Sequence, residues 1–160
     1  MDRLDYRIIE LFTNEPGTSI LQAAKELGVA RPTVQARLAR MKESGALVEI
    51  LPRLDPGPMG YAVQAVTMLQ IDQRVGTEAL DAQLLGIPEV IDCATLAGQW
   101  DVLVRIAARS NADLQRVIER IARLEPVSRT STSIVMQDLA RERMLPLLDA
   151  ATDEDDPDDD

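Results

Sequence analysis

The stretch from 19 to 45, SILQAAKELGVARPTVQARLARMKESG, constrains this chain more than any other. Ile20, Ala23, Ala24 and Leu27 recur at three- and four-residue steps and give a first helix one apolar face. Gly28 ends that helix, because glycine enters the left-handed conformation at little cost. The small Ala24 suits a close crossing of two helices. A second helix starts at Arg31 or Pro32, since a proline in the first turn gives up an N–H that has no helical partner there. Its inner face is Val34, Leu38 and Met41, and its outer face is Thr33, Gln35, Arg37, Arg40 and Lys42. Between Arg31 and Lys42 there are four basic residues and no acidic one. Two helices on a tight turn, the second basic, form a helix-turn-helix that presents its second helix to the DNA major groove. A helical hairpin with a merely solvated basic face shares the pattern. The Ala24-x3-Gly28-x5-Val34 spacing and the absence of acid favour DNA. The candidate contacts are Arg31, Thr33, Gln35, Arg37, Arg40 and Lys42. Arg37 and Arg40 are expected on phosphates or bases, and Thr33 and Gln35 near base edges.

A formal net charge of −10 argues against a polyanion partner until it is divided along the chain. Residues 1–53 hold eight Lys or Arg against seven Asp or Glu. Residues 54–147 carry a net −3, and 148–160 hold eight acidic residues and no basic one. The acidity is therefore mostly a tail, and the average hides a locally basic helix.

The rest of the first domain surrounds the hairpin. Residues 2–14 predict a helix with Asp2 as N-cap and Leu4, Ile8, Ile9, Leu11 and Phe12 as its stripe. Thr18 or Ser19 caps the next helix. Residues 46–51, ALVEIL, have strand character and close a winged helix-turn-helix domain over 1–51. Three prolines and two glycines in residues 52–60 mark a hinge.

Beyond the hinge the periodicity predicts a strand over 62–71, a helix over 77–85, strands over 90–97 and 102–107, a helix over 111–124 and a strand over 127–137. That order is a ferredoxin-like βαββαβ unit in an α+β protein, filling a domain over 61–148. A last short helix is expected over 139–148, and the acidic 149–160 as a disordered tail. With both helices on one face of the sheet, the other face would expose Val66, Met68, Leu103 and Met136. A second copy packed sheet to sheet would cover it, so a homodimer is expected.

The chain has no histidine and one cysteine, Cys93. The usual general base, a Ser–His pair and the commonest metal ligand are all absent, so neither a catalytic site nor a metal is expected. No cofactor loop appears, because Gly57 and Gly60 stand isolated among prolines. No apolar run reaches membrane-spanning length, the opening MDRLDYR lacks the form of a signal peptide, and a lone cysteine fits a reducing compartment; a cytoplasmic protein is expected.

Taken in order, these segments resemble the Lrp/AsnC (feast/famine) family of transcription regulators. Asp2, Asp5, Ile8, Ile9 and Phe12 are similar to its D-x-x-D-x-x-I-L-x-x-L pattern, AKELGVARPTVQARLARMKESGAL to its helix-turn-helix, and LDPGPMGY to its linker. Gly98, Asp101 and Leu103 match its G-x-x-D-x-L turn, and TSTSIV resembles its last strand. The resemblance implies a DNA-binding regulator that dimerises through its sheet, often assembles to octamers, and often binds an amino acid between dimers. It places the effector at Gly98, Gln99, Trp100 and Asp101, with backbone N–H groups near Gly98, an apolar wall from Trp100 and a carboxylate from Asp101 for an α-amino group. Trp100 departs from the family pattern, as do Pro16-Gly17-Thr18, where a basic residue is often found, and the acidic tail. Two alternatives stand beside this reading. One is a DNA-organising regulator without a ligand. The other is an enzyme like the siroheme decarboxylases, which share the two-part architecture but would be expected to lean on histidine.

Overall fold

The computed structural model describes residues 1–49, 53–72, 74, 78–140 and 142–153. The chain divides into two compact units, one of Met1–Pro52 with Ala140–Asp160, the other of Arg53–Leu139.

In the first unit, α1 (Arg3–Asn14), α2 (Ile20–Leu27) and α3 (Arg31–Glu43) enclose Ile8, Ala23, Ala24, Val34, Leu38 and Met41. Asp2 caps α1 by accepting from the Leu4 and Asp5 amides, and Asp5 returns the bond to the Asp2 amide at 3.1 Å. Ser19 caps α2 on the Gln22 amide. Gly28 closes α2 at φ +69°, the left-handed geometry that turns the chain into α3. Residues 46–49 are not a strand, contrary to the expectation for 46–51; 50 and 51 lie outside the described residues. A strand needs a partner edge for its N–H and C=O groups, and the described part of this unit offers none.

A fourth helix of this unit, α6 (Leu145–Asp153), packs on α1. It starts later than expected and runs into the segment expected to be disordered. A helix over 139–148 would hold Pro146 in its interior, where the ring clashes with the preceding turn; in α6 Pro146 sits in the first turn. The rest of the predicted tail, 154–160, lies outside the described residues.

The second unit is a four-stranded antiparallel sheet in the order β2-β3-β1-β4, with β1 at Val63–Ile71, β2 at Val90–Thr95, β3 at Val102–Ala108 and β4 at Val127–Ile134. Helices α4 (Glu78–Leu85) and α5 (Asn111–Ala122) supply Leu80, Leu84, Leu114, Val117 and Ile121 to one core with Ala65, Leu69, Val104 and Ile106 of the sheet. Ser110 caps α5 on the Asp113 amide. On the opposite face the register pairs Met68 with Leu103 and Val66 with Arg105, all half-buried. Strand β4 stops at Ile134, opposite Ala65 and short of the expected 137, although the Val135 amide still donates to the Gln64 carbonyl at 2.8 Å. Met136 lies beyond the end of β4 and is 91% exposed. Thr77, expected to open α4, lies outside the described residues.

Candidate nucleic-acid interface and effector turn

The helix α3 buries Val34, Leu38 and Met41 against α1 and α2, which fixes which of its sides faces water. Arg31, Gln35 and Lys42 are exposed, and Thr33 is half-buried. The N-cap, Ala30, makes no side-chain bond to the first turn.

Arg37 and Arg40 do not share that side. Arg37 donates through Nη1 to Asp2 and, at 3.1 Å, to Oδ1 of Asp5; Arg40 donates through Nη2 to Oδ2 of Asp5 at 2.8 Å. Asp5 has no exposed surface, so its charge needs these cations. The Arg37 guanidinium, helped by the Asp5 and Leu4 amides, holds the Asp2 carboxyl below its ordinary range, although partial burial works the other way. The two carboxylates in turn raise Arg37. The sequence pattern points both arginines at DNA; the structure gives each a partner on α1. The missed signal is a matched spacing, Asp2-x-x-Asp5 at the start of α1 and Arg37-x-x-Arg40 on α3. Arg40 stays 59% exposed at its side chain beside an open cleft of about 400 Å³ lined also by Met1 and Ser44.

In the sheet unit, residues 96–101 connect β2 to β3. Leu96 N–H donates to the Asp101 carbonyl at 2.8 Å and closes the hairpin, and β2 ends at Thr95 rather than 97. Gly98, at φ +152°, and Gln99 are exposed, and Gln99 accepts through its carbonyl from Nε2 of Gln70. The ring of half-buried Trp100 lies under the Arg129 guanidinium, 5.4 Å from ring centroid to carbon. Asp101 donates its amide to the Leu69 carbonyl, and its Oδ2 accepts from the Ile71 amide at 2.9 Å. That second bond falls where the β1–β4 register shifts, between Gln70 and Ile71. The carboxylate expected to meet an α-amino group thus also secures the turn to β1. The four predicted effector residues share one turn.

Among the described residues no three of His, Cys, Asp and Glu are grouped to hold a metal ion, and no helix is long and apolar enough to cross a membrane. Residues 1–48 match the winged helix-turn-helix DNA-binding family, and residues 64–145 match the Lrp/AsnC ligand binding domain. The chain belongs to the Lrp/AsnC family. This Lrp/AsnC chain is 24% identical over 137 residues to the HTH-type transcriptional regulator FL11 of Pyrococcus furiosus, covering 86% of this chain and 90% of that one. The structure of Escherichia coli AsnC is similar at 25% identity and a TM-score of 0.80, covering 91% of this chain and 99% of that chain. A transcriptional regulator of Neisseria meningitidis, solved as a complex with L-Met, shares the fold at 18% identity and a TM-score of 0.82, covering 94% of this chain and 99% of that one. This Lrp/AsnC chain is a transcription regulator, with a winged helix-turn-helix that binds DNA and an α+β ligand-binding domain.

Proposed function

We propose that the protein reads specific DNA sites as a homodimer and that an amino acid or related small molecule, bound at the 98–101 turn between subunits, adjusts that reading. The observation that carries the DNA part is the division of α3. One side is committed to the core and to the α1 carboxylates, and another presents Arg31, Gln35 and Lys42 to solvent, while the half-buried Thr33 lies on the stripe of Arg37 and Arg40. Arg31 and Lys42 then serve phosphates, Thr33 and Gln35 approach base edges, and Arg37 and Arg40 hold the helix at its angle. The half-buried Val66, Met68 and Leu103 supply the apolar centre of a face that a second copy covers. A dimer sets two recognition helices on two half-sites.

The effector part rests on the exposed Gly98 and Gln99 beside Trp100, and on the L-Met complex of the Neisseria relative, whose fold this chain shares. The test is a titration of the twenty amino acids against the thermal midpoint and the fluorescence of Trp100, the one tryptophan in the chain. Asp101→Asn is the informative variant, because the amide oxygen still accepts from Ile71 while the negative charge is gone. Binding that survives in Asp101→Asn at parent affinity moves the α-amino contact elsewhere. No binding at millimolar concentration leaves a ligand-independent regulator.

A further inference from the structure

Helices α4 and α5 cover one face of the sheet, and the other face carries few charges. Directly opposed residues of neighbouring strands lie on the same side of a sheet. Ala65 and Leu69 of β1 and Val104 and Ile106 of β3 face the helices, so Val66 and its register partner Arg105 face away from them. Asp92 of β2 is opposed to Arg105 and shares that side, as does Arg129 of β4, opposed to Gln70. With Asp138, just beyond β4, these are the charges that the four strands and residues 135–139 bring to the open face. Asp101, at the hairpin end, is committed to the Ile71 amide.

Arg105 does not pair with its neighbour. Opposed side chains on adjacent strands stand about 5 Å apart, so Asp92 is within its reach. Its Nη2 donates instead to Asp138, and that ion pair joins β3 to the end of β4 across the intervening β1. The Arg105 side chain is only 23% exposed, and its Nε is covered and has no acceptor. A guanidinium carries five N–H donors, so most of them are unused. Asp92 is exposed, and among the described residues its carboxylate has neither a hydrogen bond nor an ion pair. A lone exposed carboxylate is ordinary, but a largely buried arginine with most donors idle is not. Both groups flank Val66, Met68 and Leu103, the apolar centre of the face. Arg129 is a poorer mate for a carboxylate. It rests on the Trp100 ring and stands four residues along β1 from Val66, about 13 Å away, at the end of the sheet.

We propose that when two copies pack sheet to sheet, Asp92 of each pairs with Arg105 of the other. The proposal rests on the reading of the open sheet face as the contact between subunits. Two-fold symmetry makes the pair twice, because the same patch meets itself. The bond to Asp138 holds the guanidinium off its own Asp92 and leaves its outer N–H groups for the incoming carboxylate. The pair also selects the partner. A sheet with no acid at this place would leave Arg105 buried and unmatched, so the face favours a second copy of this chain over a related chain with a similar apolar centre.

Two full-length variants test it by sedimentation equilibrium. One carries Arg105→Glu together with Asp138→Asn, which removes the in-chain repulsion that a glutamate would meet. The other carries Asp92→Arg. Each alone sets like charges against each other twice in its own dimer, whereas a one-to-one mixture restores both opposite-charge contacts. Each alone should dimerise about a hundredfold more weakly than the parent, and the mixture should return to within about tenfold of it. Circular dichroism checks that each variant is folded. Asp92→Asn, which breaks no contact within the described chain, gives a second reading that does not depend on the charge reversals, and should weaken the dimer about tenfold. A mixture of folded variants no tighter than its components overturns the proposal, as does parent-like dimerisation of Asp92→Asn. If Asp92→Asn dimerises like the parent while Val66→Lys with Met68→Lys abolishes the dimer, the pairing fails and the sheet-face reading stands. A parent that is monomeric at micromolar concentration fails that reading itself, and the proposal with it.

Discussion

Replacing Arg37 with alanine should cost stability and leave the electrostatics of DNA binding almost untouched. Arg37 Nη1 donates to Asp2 and to the fully buried Asp5, and the Arg37 side chain is only 25% exposed. Removing one partner from a buried ion pair typically costs about 3–5 kcal/mol, because the other charge is left uncompensated. Here Arg40 keeps its 2.8 Å bond to Asp5, and Asp2 is half-exposed and regains water. The cost should therefore fall to about 2 kcal/mol, near the value of one charge-assisted hydrogen bond. With a urea dependence of about 2 kcal/mol per M, the unfolding midpoint of the helical unit drops by about 1 M. Circular dichroism at 222 nm reads it, since α1, α2, α3 and α6 hold most of the helix. Below the transition, the slope of log affinity against log salt should match the parent. In contrast, Arg31→Ala and Lys42→Ala should each lower that slope by about 1 while leaving the urea midpoint in place. An Arg37→Ala protein that unfolds like the parent but loses a unit of salt slope would refute this division of labour.

Acid should strip the same cluster. Asp2 has a carboxyl lowered by Arg37, so its contribution is complete above the ordinary carboxylate range near pH 4 and drains as pH falls through its lowered value. Urea midpoints measured from pH 5 to 2.5 should fall less steeply in Asp2→Asn than in the parent. Asp101→Ala should leave the Ile71 amide without its acceptor and cost about 1–2 kcal/mol in the sheet unit, whereas Asp101→Asn should cost less; differential scanning calorimetry ranks the two. If a second copy covers the sheet face as proposed, Val66→Lys with Met68→Lys should give a folded monomer in sedimentation velocity where the parent is a dimer, because two charges then occupy the centre of that apolar face. An unchanged sedimentation coefficient would mean that the subunits associate elsewhere.

Much of the fold was legible because its signals are local. Asp2, Ser19 and Ser110 cap helices through their own side chains, Gly28 adopts the left-handed turn, and the apolar stripes of α1, α3 and α5 point to the cores in which they are found. Sequence pattern fails where a residue's role depends on a distant partner. Nothing in RLARMK shows that two of its cations meet α1, since that pairing joins positions 32 to 35 residues apart. Likewise Asp101 meets the Ile71 amide across thirty residues, and only the bulge in β1 brings that amide to it. Residues 46–49 have strand composition without a strand to pair with, which pattern alone does not reveal. The turn residues Gly98, Gln99, Trp100 and Asp101 are contiguous, so their juxtaposition needed no tertiary information.

The membership of α6 in the helical unit has a topological consequence. The sheet unit is an insertion, spliced between two pieces of one helical body and joined to it by two crossings of the chain, at 52–53 and 139–140. Neither piece of that body is a natural cut. A fragment ending at residue 52 would uncover the side of α1 that carries Arg3, and a fragment starting at 61 would drag along a helix with nothing to lie on. A single protease nick in the first crossing leaves Thr152 still buried and Asp149 still paired, so the two products stay attached without any covalent bond between them. Limited proteolysis should therefore show two bands on a denaturing gel and one particle in solution.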